Sequence, residues 1–300
     1  MQMQAETVDV PLLRRFRAVI VEDSSSVVLP DELAEIWQGC GSSHGSGAAA
    51  VKLFVRWDVL SGKVEGPRLT DGRHTDTKSP FNEDALPGGG LYLADLGFFS
   101  LGRLASLAHP VEGGKRFFVM RWQYGTALST RSGHQIDLRG VLPRGEGEAK
   151  EIGVLLGKQV KLPVRLIMVR VSEEVAAQRR KRIRERAQDH STKPSEELLY
   201  LAEWTIVVTN VPRARLSLPE ALVLLRLRWQ IERLFRLWKE QGQIDEWRTK
   251  KPWRILCELY GKLAAMVIQQ WLIQEGCWHD PWRSLVQAAA VVRREANHIM

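Results

Sequence analysis

Two apolar runs that each stop on an aspartate constrain this chain more than any other feature. Phe16 to Val21 (FRAVIV) is a β-branched run halted by Glu22 and Asp23, and Leu91 to Ala94 (LYLA) ends at Asp95. Side chains of this kind fit a pleated, buried surface, so each run predicts a strand that carries an Asp to its C-terminal end. Around them, the pattern predicts a strand over Ala50 to Leu60, a hairpin return over Lys63 to Leu69, and a short helix begun by Ser79-Pro80. A helix over Leu96 to Ala108 and a strand over Arg116 to Trp122 follow. Strands interleaved with helices suit a mixed sheet with helices packed on it. With 300 residues, 44% of them hydrophobic, the chain can bury a sizeable core. No apolar run approaches about 18 residues without a charge, which excludes a helical membrane span. The opening MQMQAETVDV lacks the basic and apolar regions of a secretory leader, so the cytosol is the default.

Forty-three Lys and Arg against 35 Asp and Glu leave a net charge of +8. That balance suits a polyanionic partner such as nucleic acid, and equally an ordinary basic enzyme. Cys40, Cys257 and Cys277 lie far apart without CxxC spacing, which supports neither a disulfide framework nor a zinc site; they are expected to be reduced and buried. His44, His74 and His134 have no zinc-ligand spacing either, and the serines after Asp23 lack the glycines of a nucleophile elbow. The Gly- and Ser-rich stretch at 39–47 reads as a flexible connection.

From about Gln123 to Ala202, short strand-like pieces (QIDLRGVL, EIGVLLG, VRLIMVRV) alternate with polar turns, which reads as an inserted β-rich unit. Within it, AAQRRKRIRERA at 176–187 crowds like charges at helical spacing, as a solvated face does and as a surface awaiting a counter-anion does. The strand Thr205 to Thr209 returns the chain to long helices over 217–241, 253–275 and 281–296. The first of these opens with a capping box, Ser217 and Glu220. Leu224, Leu227, Ile231, Leu234 and Trp238 form its buried seam. At about 100° per residue, Arg228 and Glu232 lie within roughly 40° of each other and Lys239 returns to within about 20° of Glu232. Such a face is either a salt-bridged surface or a carboxylate flanked by cations that hold phosphates.

RWQIERLFRLWK resembles the Arg-x3-Glu-x6-Lys portion of the Tyr-x2-Arg-x3-Glu-x6-Lys signature of insertion-sequence DDE transposases of the family-four group. Arg228, Glu232 and Lys239 fit its spacing, whereas the Tyr position is Leu225. VIVEDSSSVVLP is similar to the family's first-Asp segment, and LYLADLGFFSLGRL to its second, Asp-x-Gly-Phe-Phe. The matches run in family order over roughly residues 16–275.

The resemblance implies an RNase H-like mixed sheet flanked by helices, with a β-rich insertion between the second catalytic Asp and the catalytic Glu. The expected division is 1–122 for the first part of the core, 123–204 for the insertion and 205–300 for the helical part carrying the Glu. Asp23, Asp95 and Glu232 would be the catalytic and metal-binding set, holding Mg²⁺, with Mn²⁺ as substitute, as two ions. Arg228 and Lys239 would contact DNA phosphates, with Arg121 as a further candidate. Trp204, in EWTIVVTNVP, occupies the position of a Trp that stacks on a base extruded from the transposon end; a buried core Trp is the alternative. The implied partners are double-stranded DNA at transposon ends and target DNA, with a homodimer on DNA and no membrane. The implied location is the bacterial cytoplasm at the nucleoid. In LTDGRHTD, turn chemistry explains Asp71-Gly72, and Asp71 and Asp76 are both left out of the catalytic set. Three carboxylates held together repel, so at least one is expected to have a raised pKa without metal. Because Asp23 stands so near the start, the family's N-terminal end-recognition domain is expected to be missing. A non-catalytic DNA-binding remnant and a nuclease of the same fold are the alternative functions.

Overall fold

The computed structural model describes residues 10–40, 48–189, 191–249 and 251–299. Most of the predicted loop at 39–47, with His44, therefore lies outside the described residues. The chain groups into two compact units, one of residues 1–98, 110–116 and 226–300, the other of 99–109 and 117–225. This grouping cuts across the three sequence segments.

The first unit is built on β1 (Val19–Leu29), β2 (Ala49–Asp58), β3 (Val64–Asp71) and β4 (Leu91–Ala94), in the order β3-β2-β1-β4. β2 is antiparallel to both β1 and β3, while β1 and β4 are parallel. The mixed sheet expected from the sequence is thus present. β1 does not stop at the carboxylate pair: Asp23 pairs with Val55, and Ser24 to Ser26 continue against Phe54 to Lys52. Pairing along β2 outweighs the low strand propensity of three serines, so Asp23 sits in mid-strand. The parallel ladder runs from Val19 opposite Leu91 to Glu22 opposite Ala94. Asp23 and Asp95 come next along that direction, which brings two residues 72 positions apart in sequence close together, Asp23 on β1 and Asp95 just past the end of β4.

No helix starts at Ser79-Pro80. Short 3₁₀ turns occupy Asp76–Lys78 and Glu83–Ala85 instead, the second capped by the Asn82 side chain, which accepts from Asp84 N at 3.0 Å. After β4, a 3₁₀ turn over Leu96–Phe98 precedes α1 (Leu101–Ala108), because Ser100 caps a fresh helix start through Arg103 N. Two-residue strands β5 (Pro110–Val111) and β6 (Gly114–Lys115) form a small hairpin in the first unit.

The second unit carries β7 (Phe117–Arg121), β8 (Leu128–Ser129), β9 (Ala149–Leu156), β10 (Leu162–Arg170) and β11 (Trp204–Thr209). Their order is β7-β11-β10-β9-β8, antiparallel throughout. QIDLRGVL is not a strand: beyond a single β-bridge of Gln135 to Ser129, Asp137 accepts from Arg139 N at 3.0 Å and starts the short helix α2 (Leu138–Val141). α3 (Glu173–Asp189) and α4 (Glu196–Leu201) follow, so segment 123–204 contains helices as well as strands.

The predicted helix over 217–241 is two helices, α5 (Leu218–Leu227) and α6 (Trp229–Glu240), parted at Arg228. Glu220 reaches back to Ser217 N at 2.8 Å, as the capping box requires. In the seam, Leu224, Ile231, Leu234 and Trp238 are buried, while Leu227 is half-buried. α7 (Pro252–Cys277) and α8 (Leu285–Ile299) complete the first unit. Just beyond α7, Trp278 packs 5.2 Å from Trp57 and donates to Val59 O, covering the β2–β3 hairpin. Gly62 in that hairpin has φ +79°, and a Cβ there would lie 2.5 Å from the Trp278 ring, so both backbone and space demand glycine. The cysteines are free thiols, but Cys40 and Cys257 are exposed and Cys277 half-buried, unlike the buried positions expected from their apolar character. Among the described residues no helix is long and apolar enough to cross a membrane.

Candidate active site

Three elements of the first unit bring the acidic residues together. β1 supplies Asp23, the chain leaving β4 supplies Asp95, and the first turn of α6 supplies Glu232, where the helix dipole favours a carboxylate. Arg228 lies at their centre. Its Nη1 is 2.8 Å from Glu232 Oε1 and 3.7 Å from Asp23 Oδ2, and its Nη2 is 3.8 Å from Asp95 Oδ1. One guanidinium therefore reaches carboxylates from three separate elements, and Asp23 and Glu232 share one of its nitrogens. The break before α6 falls at this same residue.

The three acids differ in exposure. Asp23 is the buried member, with 15% of its side chain accessible against 48% for Asp95 and 44% for Glu232. Burial lifts the Asp23 carboxyl to about 7, and the charges of Asp95 and Glu232 add to the rise. Ser24 N, donating to Asp23 Oδ1 at 2.8 Å, and Arg228 oppose it. The raised pKa expected from mutual repulsion is present, but desolvation is its larger cause.

Glu22, the neighbour of Asp23, takes no part. Successive strand residues face opposite sides of a sheet, and Glu22 is fully buried with Arg56 Nε 2.6 Å from its carboxylate. Arg56 also donates to Asn82 O and lies over the Phe81 ring. A buried charge must be paired, and this pairing separates two adjacent acids into a structural and a site residue.

Lys239 donates from Nζ to Ser26 O at 3.1 Å, tying α6 to β1 a few residues beyond Asp23. Arg121 is exposed at the end of β7, and its charge adds to burial in lowering the pKa of Arg179 on α3. Trp204 is 7% exposed; its Nε1 donates to Pro143 O at 2.9 Å and its ring lies 4.8 Å from that of Tyr200. The buried alternative describes it, since burial removes the free ring face that stacking on an extruded base requires.

No group of His, Cys, Asp and Glu among the described residues is drawn tightly enough to enclose a metal ion. The donor set nonetheless suits a hard divalent cation: three carboxylates converge on one point, which a guanidinium's positive charge occupies. The structure brings together the three acids and the Arg228 expected from the sequence. Sequence reasoning missed Arg228 as their common counter-ion, for which the only sequence signal was the shared helix face.

Residues 14–268 match the family model described as Transposase DDE domain. The transposase for insertion sequence element IS231C of Bacillus thuringiensis subsp. berliner is 30% identical over 274 residues, covering 85% of this chain and 56% of that protein. The transposase for insertion sequence element IS1151 of Clostridium perfringens is 24% identical over 277 residues, covering 86% and 57%. The chain thus spans about half the length of the curated relatives it matches. Among solved structures, the piggyBac transposase in its synaptic complex with hairpin DNA superposes with a TM-score of 0.51 at 10% identity, covering 92% of this chain and 51% of that one. At that identity the likeness is one of fold, and it fits an RNase H-like core.

Proposed function

Because the chain belongs to the transposase DDE-domain family, we propose that it carries the catalytic centre of a DNA transposase, cleaving and joining DNA strands at Asp23, Asp95 and Glu232. The observation that supports this reading most is the single guanidinium within 4 Å of carboxylates from three elements. A largely buried Arg228 and Asp23 meeting two half-exposed acids form a charged cluster open to solvent on one side, the arrangement of a site that takes a ligand.

DDE transposases generally use divalent metals, and these three side chains would hold Mg²⁺ or Mn²⁺ here, as two ions. The bound ions supply charge neutralisation at phosphorus and activation of the attacking oxygen. Asp23, whose carboxyl titrates near 7, holds a proton in acidic solution and gives it up as a cation arrives. Arg228, once its carboxylates have another partner, is placed to hold a backbone phosphate beside the scissile bond. Lys239 keeps α6 against β1 through Ser26 O and so fixes the distance between Glu232 and Asp23. Arg121, exposed on the second unit, is a further phosphate contact. The partners are duplex DNA at transposon ends and at the target, with two copies acting together on DNA in the bacterial cytoplasm at the nucleoid.

The test is cleavage of a supercoiled plasmid carrying the DNA that flanks this reading frame on both sides, with Mg²⁺, comparing the protein with Glu232→Gln. Cation-dependent nicking in that flanking DNA, reduced about 10³-fold in the variant, is expected for the loss of one cation ligand worth several kcal/mol of transition-state stabilisation. Equal activity in both proteins removes Glu232 from the mechanism. DNA binding without cation-dependent cleavage in either would favour a DNA-binding remnant.

A further inference from the structure

We propose that Asp76 is a positioning residue for this site, locking the strand segment after Asp23 to the turn after Asp95. The proposal rests on the reading that Asp23 and Asp95 are working carboxylates. Asp76 stands on the 3₁₀ turn Asp76–Lys78. Its Oδ1 accepts from Ser24 Oγ at 2.7 Å and lies 2.7 Å from Lys52 Nζ. Lys52 also donates to His74 O at 2.9 Å, and its side chain is 13% exposed against 28% for Asp76. An ion pair this far out of solvent gives up hydration that a surface pair keeps, so it is held by its surroundings.

The other carboxylate oxygen faces the second segment. A Cβ built on Gly97 would fall 2.7 Å from Asp76 Oδ2, so it would push aside a carboxylate that Ser24 and Lys52 hold through Oδ1. The glycine of Asp95-Leu96-Gly97-Phe98 is therefore explained by the approach of Asp76. On its other flank, the turn is fixed by Phe98, 1% exposed, whose ring meets Phe54 edge-on at 6.1 Å and whose N–H donates to Asp95 O at 3.0 Å. Phe54 pairs with Ser24 across β1 and β2, so the aromatic contact and the carboxylate act on the same two segments.

Ser24 and Asp23 are consecutive in a strand, so their side chains leave on opposite faces. Asp76, bonded to the Ser24 side chain, lies behind the sheet from the Asp23 carboxylate and touches no reacting group. It acts through the backbone, holding two acids at the spacing a shared cation requires, where misplacement by about 1 Å can cost on the order of 10²-fold in rate.

The test compares Asp76→Ala, Asp76→Asn, Gly97→Ala and the double variant Asp76→Ala/Gly97→Ala in the full chain. Readouts are Mn²⁺ affinity, kcat and KM for plasmid cleavage, and urea stability, with Asp23→Asn as benchmark. Asp76→Ala is expected to weaken Mn²⁺ binding about tenfold and lower kcat by about 10- to 100-fold at unchanged KM. Asp76→Asn, which still offers Ser24 an acceptor oxygen, should keep most of both. Gly97→Ala should match the alanine variant alone and cost much less in the Asp76→Ala background, a non-additivity that mere destabilisation does not produce. Unchanged Mn²⁺ affinity and kcat in Asp76→Ala and Gly97→Ala, with Asp23→Asn abolishing both, overturns the proposal alone. Intact Mn²⁺ binding in Asp23→Asn overturns the underlying reading of the carboxylates, and the proposal with it.

Discussion

Replacing Asp23 by Asn is expected to lower cation-dependent cleavage by at least about 10³-fold and, at the same time, to make the cation-free protein more stable in alkaline solution. The two effects share one cause. Burial raises the folded-state pKa of Asp23 from 3.8 to about 7. A carboxyl whose folded pKa lies above its unfolded one holds its proton more tightly when folded, so its stabilising contribution is complete below about pH 4 and is lost as pH rises through 7. Each pKa unit corresponds to about 1.4 kcal/mol, so the cation-free protein should lose a few kcal/mol between those limits. Asn has the same shape, never ionises and avoids that loss. Urea denaturation in EDTA at pH 5 and pH 8 checks this: stability should fall with pH in the parent protein and much less in Asp23→Asn. The same pH slope in both would show that Asp23 does not carry the buried charge. A residue whose removal costs activity and improves stability is one retained for function.

The second large effect concerns the affinity for divalent cations. Below pH 7, binding a cation at Asp23 requires that its proton leave, so affinity should climb about tenfold per pH unit from pH 5 and level off above pH 7, about 100-fold in all. Mn²⁺ titrations followed by electron paramagnetic resonance across that range give the curve. Calorimetry in buffers of different ionisation enthalpy counts the proton released, close to one per cation at pH 6 and falling toward none at pH 8. A flat affinity profile would mean that Asp23 is already ionised in the cation-free protein. Arg228 shapes this behaviour too, since a cation entering among the acids displaces its charge from Glu232, where the two groups are 2.8 Å apart.

What was legible in the sequence follows from what local pattern encodes. LYLA before Asp95 and the β-branched run before Asp23 are strands because their side chains suit burial on a sheet, and the register pairing Glu22 with Ala94 then sets the two aspartates close together. Helical spacing placed Arg228 and Glu232 on one face, and the i,i+4 contact is made. The continuation of β1 through three serines depends on β2, whose pairing residues are 26 to 30 positions away in sequence, and no short window centred on Ser24 to Ser26 contains that partner. The helix in QIDLRGVL, started by the Asp137 cap, depends on an individual hydrogen bond that periodicity does not carry, and the helix break at Arg228, where no side chain caps the backbone, leaves the periodic pattern of the seam uninterrupted. Trp204 illustrates the same limit: whether an indole is buried against Tyr200 or presented to a ligand is decided by neighbours from other elements. Asp76 carries no local signal because its partners Ser24, Lys52 and Gly97 come from three distant segments.

On the reading proposed above, Asp23, Asp95 and Glu232 surround a divalent cation. Crystals of the protein grown with Mn²⁺ and measured at an energy where manganese scatters anomalously test it most directly. The expected result is an anomalous peak about 2.0–2.6 Å from carboxylate oxygens of Asp23 and at least one of the other two acids, with the Arg228 guanidinium moved off Glu232. Saturating Mn²⁺ with no peak at these residues, and Arg228 still bridging the three acids, would contradict it.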